Sequence, residues 1–242
     1  MRATKFLIMA GVLGVACASA ATIGTFSMSG DVTVTPTMMM FNSDAPGNAP
    51  NMFSLTLGSG LYAGENGQNG IQNLNIAAEP VGTTFTATPF INFDVNNTVQ
   101  PLLLNFIFAG TGTSTLCNTS PSTAAPNQLC TPANPGGSPF TFLNQPPPTS
   151  PQSTAQFVLS GTNAAGDTWT GIFTSQFNEP FQTVLEAFAP GGSGSITNAF
   201  SATITVSSPV PEPGPLTMMG IGLGLLAFWG AGSAARKRQR GI

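Results

Sequence analysis

Every basic side chain of this chain lies near one of its two ends. Arg2, Lys5, Arg236, Lys237, Arg238 and Arg240 are the only ones, and from Ala21 to Ala235 there is no Lys, Arg or His. All nine carboxylates (Asp31, Asp44, Glu65, Glu79, Asp94, Asp167, Glu179, Glu186 and Glu212) fall inside that cation-free stretch. Whatever it folds into, it cannot form a side-chain salt bridge. Its solubility must rest on Asn, Gln, Ser, Thr and a thin negative charge.

The same absence limits chemistry. Without His no side chain titrates near neutral pH at its ordinary pKa, without Lys there is no Schiff base, and without Arg or Lys no phosphate clamp. Nucleic acid is excluded as a partner on the same ground, because phosphate binding draws on Lys and Arg charge. No cofactor and no metal site is expected.

The pattern between the ends is β. Phe200, Ala202, Ile204 and Val206 alternate with Ser201, Thr203, Thr205 and Ser207, the period of a strand with one buried face. Val32 and Val34 alternate with Thr33 and Thr35, and Pro36 places that strand at an edge or a bulge. Leu102 to Phe108 is apolar on both faces apart from Asn105 and reads as a central strand covered on both sides. Shorter runs at Met52–Leu57, Ile71–Ile76, Thr83–Thr86, Phe90–Val95, Ala155–Leu159, Thr168–Ser175 and Gln182–Ala189 are separated by Gly, Pro and Asn clusters. Many short strands with regular turn signals predict an all-β domain over 21–208, an antiparallel β-sandwich or jelly-roll-like body. The segment 111–151 interrupts the rhythm with Pro121, Pro126, Pro132, Pro135, Pro139 and Pro146–Pro148, and only Phe140 to Leu143 resembles a strand. It reads as a long excursion from the body.

The ends carry addresses. Arg2 and Lys5 precede an apolar stretch from Phe6 to Ala16 and the small-residue site Ala18-Ser19-Ala20, the order of a secretory signal peptide (1–20) cut between Ala20 and Ala21. A lipid-modified Cys17 is the alternative, but Gly14 stands where such signals carry Leu. At the other end the apolar run Leu216–Ala235 has 20 residues. As a helix it spans about 30 Å, enough to cross a bilayer once. The cluster 236–240 then stays on the cytoplasmic side and the body faces outward. Gly220 and Gly224 form a G-x-x-x-G pair that suits helix docking, although glycines abound throughout this run.

Removal of the signal leaves Cys117 and Cys130 as the only cysteines of an exported body, and a disulfide between them is expected, with two free thiols as the alternative. Two thiols without His supply only half a zinc tetrahedron. Asn92-x-Asp94-x-Asn96 and Gly64-Glu65-Asn66-Gly67 offer oxygen ligands for calcium, but neither matches an EF-hand loop and all are ordinary turn residues.

Val210-Pro211-Glu212-Pro213, followed by a Gly-rich apolar run and a terminal Arg/Lys cluster, resembles the PEP-CTERM sorting domain of exported bacterial proteins. The resemblance covers 209–242 alone. It implies export, a transient membrane anchor at 216–235, and delivery to an exosortase-type processing enzyme for which Pro211, Glu212 and Pro213 are recognition residues. Bodies of that family are diverse, so the resemblance gives the body's destination and not its activity; the tail together with the lack of catalytic side chains leads to the expectation of a noncatalytic protein of the cell surface or extracellular matrix with a structural or adhesive β body. The alternative is a carbohydrate-binding module acting on extracellular polysaccharide. That reading wants flat aromatic platforms, and outside the many Phe residues the body has only Trp169 and Tyr62, of which Trp169 suits a core position better. Glycoside hydrolysis needs only two carboxylates, yet no pair among the nine stands in a recognisable motif.

Overall fold

The computed structural model describes residues 22–42, 52–63, 67–93, 99–118, 120–134, 136–146 and 152–209. The signal segment with Ala18, Ala20 and Ala21, the residues Pro211, Glu212 and Pro213, and the apolar run 216–235 lie outside them. Among the described residues no helix is long and apolar enough to cross a membrane.

Among the described residues eleven strands form: β1 (Thr22–Val34), β2 (Met39–Asn42), β3 (Met52–Gly60), β4 (Gly67–Ile71), β5 (Thr84–Asn92), β6 (Leu102–Ile107), β7 (Leu129–Cys130), β8 (Thr141–Asn144), β9 (Ser153–Asn163), β10 (Thr168–Phe177) and β11 (Ile196–Ser207). Of the described residues 53% are strand and 9% helix, an all-β, sandwich-like fold. The pairings between these strands are antiparallel.

The sheet closes on itself, and β9 makes the closure. One edge of β9 pairs with β10 along its whole length. The other edge is shared, Ser153–Gln156 with β8 and Leu159–Asn163 with β6. The ring then runs β9-β10-β11-β1-β3-β4-β5-β6 and back to β9, with β8 and β7 hanging from it and β2 paired to β1. Closure leaves few bare edges to recruit another chain.

Period-two alternation fills the interior. Phe26, Met28, Phe41, Phe53, Phe90, Leu104, Leu159, Trp169, Phe173, Phe200 and Ile204 are buried in one apolar cluster. A smaller cluster joins Cys117, Cys130, Phe142, Ala155, Phe181 and Val184, and the half-buried Phe140 packs against both. Trp169 lies parallel to Phe90 with ring centroids 6.0 Å apart, and its Nε1 donates to the Leu103 carbonyl at 2.8 Å. That approach needs Gly161, where a Cβ would collide with the same carbonyl and the indole nitrogen.

Several expectations are corrected. Gln182–Ala189 is not a strand. Helix α1 (Phe181–Leu185) and a 3-10 turn (Glu186–Phe188) occupy it, because Phe181 and Val184, three apart, both seat in the smaller cluster. Pro36 does not mark an edge: β1 ends at Val34, the proline sits in the following turn, and β1 is flanked by β11 on one side and by β2 and β3 on the other. Thr83–Thr86 and Phe90–Val95 are not two strands, since β5 runs through both and shifts register between Pro89 and Ile91. Ile71–Ile76 is strand only at Ile71. The outer face of β6 is uncovered at its end, where Phe108 is 41% exposed. Within 111–151 the chain also forms two 3-10 turns (Ser114–Asn118 and Pro121–Thr123) and the short strands β7 and β8.

Candidate functional site

Cys117 and Cys130 are disulfide-bonded, with Cα atoms 5.3 Å apart across 13 residues of sequence. The bond ties the first 3-10 turn to β7. A buried amide cluster ties the same region to α1: the Asn144 Nδ2 donates to the Gln182 Oε1 at 3.0 Å, the Gln182 Nε2 donates to the Gln128 Oε1 at 2.7 Å, and the Phe181 N–H donates to the Asn144 Oδ1 at 3.0 Å. These contacts build the fold rather than a reactive centre.

Both aromatic candidates are internal. Trp169 is 1% exposed, and Tyr62 is fully buried between Phe26 and Phe93 at centroid distances of 4.7 and 5.4 Å. The Tyr62 hydroxyl has no hydrogen-bond partner. Burial, with a smaller contribution from the Asp167 charge, pushes its pKa up to about 12. Asp167 itself closes the β9–β10 turn: its Oδ2 accepts from the Asn163 Nδ2 at 2.9 Å, and the Asn163 Oδ1 accepts from its N–H. Burial likewise holds Glu79 above the usual carboxylate range, with Oε2 unpartnered. Among the described residues no group of three or more His, Cys, Asp or Glu could hold a metal ion. Of the calcium candidates, Asn92 ends β5 and Gly67 starts β4, whereas Asp94, Asn96 and 64–66 lie outside the described residues.

What the fold does assemble is a face of hydroxyls. The positions alternating with the core on β9, β10, β11, β1 and β3 fall into register as rows across the sheet. One row is Ser160, Thr170, Thr205, Thr25 and Ser59. Another is Gln156, Thr174, Ser201, Ser29 and Ser54. The row between them carries Val158, Ile172, Thr203, Ser27 and Thr56. Neighbours within a row stand about 4.8 Å apart and alternate rows about 7 Å. Some hydroxyls pair across strands, Thr25 with Ser59 at 2.7 Å and Thr33 with Thr197 at 2.8 Å. These three rows carry no charge. Beside them, Phe106 and Phe108 meet edge to face at 4.7 Å and line a shallow groove with Asn105, Thr84, Thr162 and Thr168.

A second feature lies inside. A cavity of about 280 Å³ opens where the two apolar clusters meet, walled by Val34, Phe140, Phe157, Phe177 and Leu185. The pocket is partly open to solvent, with the exposed Pro36 and Ala133 on its rim.

Comparison with protein-family models, with curated proteins and with solved structures gives no match. The hydroxyl rows were legible in composition but not in position, because they exist only through cross-strand register. The cavity left no signal along the chain.

Proposed function

We propose that the chain is an exported, noncatalytic bacterial surface or matrix protein whose closed β body works as an adhesive or structural element, delivered by a tail in which Pro211, Glu212 and Pro213 are read by an exosortase-type enzyme. The tail reading rests on the order Pro-Glu-Pro, apolar run and basic cluster. The body reading rests on the charge-free Ser/Thr rows across β9, β10, β11, β1 and β3. Such a face offers donors and acceptors at regular spacing and no ionic attraction. It therefore suits a hydrated neutral polysaccharide, and its many weak contacts make avidity the source of strength.

Thr170→Asp with Thr203→Asp tests this. Both side chains are exposed, so folding survives, while two carboxylates enter the middle of the face. Co-sedimentation with an insoluble neutral glucan should fall and should not be restored by added salt. Unchanged sedimentation contradicts the reading.

The carbohydrate-binding-module reading has one observation in its favour, the Phe106–Phe108 groove beside the hydroxyls. With Trp169 and Tyr62 in the core, any aromatic platform falls to these phenylalanines. Saturable binding of a soluble oligosaccharide that Phe108→Ala abolishes favours this second reading over the first.

A further inference from the structure

The structure assigns to the cavity at the junction of the two apolar clusters a role as a binding site for a neutral, apolar small molecule. Its origin is a local loss of side-chain volume. Inward positions of β9 and β10 mix large residues (Phe157, Leu159, Trp169, Phe173) with small ones, and Ala155 and Ser175 face each other across these strands, between Phe142 on β8 and Phe200 on β11. The two small side chains leave the floor low, and Phe140, Phe157 and Phe177 stand around it as walls. Both floor residues are buried, at 8% and 7% exposure. A concave apolar pocket of this size, walled by aromatic side chains and open on one side to solvent, has the form of a small-molecule site.

The lining also sets the ligand's class. No residue of the cavity is charged. From Ala21 to Ala235 the chain holds no cation, so a carboxylate or phosphate taken inside would find no counter-ion, and burying it alone is prohibitive. Free fatty acids and phosphorylated lipids are thereby disfavoured. Alcohols, esters, isoprenoid hydrocarbons and fused aromatics fit, with Asn134 and Asn198, whose Nδ2 already donates to the Gln176 carbonyl, as the polar residues of the lining nearest in chemistry to a hydroxyl or ester group. Size follows by comparison: a 150 Å³ apolar cavity accepts benzene, so about 280 Å³ accepts a skeleton of roughly ten to twelve carbons. The assignment is independent of how the tail is processed and of what the hydroxyl face binds.

4-(Dimethylamino)benzonitrile, a neutral fluorophore of eleven heavy atoms whose emission changes in apolar surroundings, is titrated into the full chain and into Ala155→Phe and Ser175→Leu, whose larger side chains fill the floor. Partitioning into the apolar C-terminal run is common to all three and cancels in the comparison. The wild type should show one saturable site, displaced by decanol and not by decanoate. Each folded variant should bind roughly ten-fold or more weakly, with a thermal midpoint at or above that of the wild type. Hydrogen exchange on the wild-type chain supplies a measurement that needs no variant: the probe should slow exchange in 140–142, 153–157 and 173–177. Absence of a saturable site, equal affinity in a folded variant, or slowing confined to the Phe106–Phe108 groove overturns the assignment.

Discussion

Tyr62 is the chain's single tyrosine, and its environment makes alkaline stability a one-residue measurement. The phenol is fully buried against Phe26, its hydroxyl has no partner, and burial pushes its pKa from 10.0 to about 12. Two pH units correspond to about 2.7 kcal/mol in favour of the neutral folded form. A raised folded pKa means that this contribution is complete below pH 10, where folded and unfolded states both hold the proton. Between pH 10 and about 12 the unfolded chain releases the proton and the folded chain keeps it, so stability falls by about 1.4 kcal/mol per pH unit. The cation-free stretch removes interference: no Lys lies between Ala21 and Ala235, and Cys117 and Cys130 are bonded to each other. Tyr62→Phe removes the titration and an unpaired buried hydroxyl whose cost is about 1 kcal/mol or more. The variant should therefore match or exceed the wild type in urea at neutral pH and surpass it by about 3 kcal/mol or more near pH 12. Tyrosinate absorbance in the folded wild type should rise about two pH units above its rise in urea. A folded midpoint near pH 10, or a Tyr62→Phe variant weaker than wild type at neutral pH, refutes the reasoning.

Asn144→Ala takes from the Phe181 N–H its side-chain acceptor and from the Gln182 Oε1 one of its donors inside a buried cluster, so urea unfolding should show a loss of about 2–4 kcal/mol and α1 should exchange faster. Replacing Cys117 and Cys130 together by Ala opens a loop spanning 13 positions and should lower stability by about 3 kcal/mol, read as a lower thermal midpoint that reductant no longer shifts. Leu57 holds φ at 54° with its side chain 85% exposed, at a bulge where Leu57 and Gly58 oppose Phe26. Leu57→Gly relieves that strain and removes no packing, so the urea midpoint should rise by an amount equivalent to about 1 kcal/mol.

Alternation made the strands readable wherever inward positions were filled by large apolar side chains, as at Phe200, Ala202, Ile204 and Val206. The first half of β1 was missed because Gly24 and Gly30 occupy inward positions among Phe26, Met28 and Val32, and Gly30 faces the Phe200 ring, so apolarity along the strand is broken by contacts made elsewhere. Helix α1 spans five residues, too few for a 3.6-residue period to show, and its helical state comes from docking Phe181 and Val184 against the disulfide region. The pairing of Cys117 with Cys130 was readable because Cys17, the chain's third cysteine, lies in the expected signal segment and leaves one partner for each. The hydroxyl face was not, since Thr25 meets Thr205 through strands at opposite ends of the body. The cavity depends in the same way on Ala155 meeting Ser175.

The sorting tail frames the whole proposal, and the mass of the mature protein tests it most directly. Replacing Pro211, Glu212 and Pro213 by Ala leaves the apolar run 216–235 and the basic cluster 236–240 intact, so membrane insertion persists while recognition is lost. In a host carrying an exosortase, wild type should be recovered without its C-terminal run, beginning at Ala21, and the triple variant should accumulate as a longer membrane-bound form. Equal masses and identical fractionation of the two proteins would contradict the sorting reading and leave a simple anchor in its place.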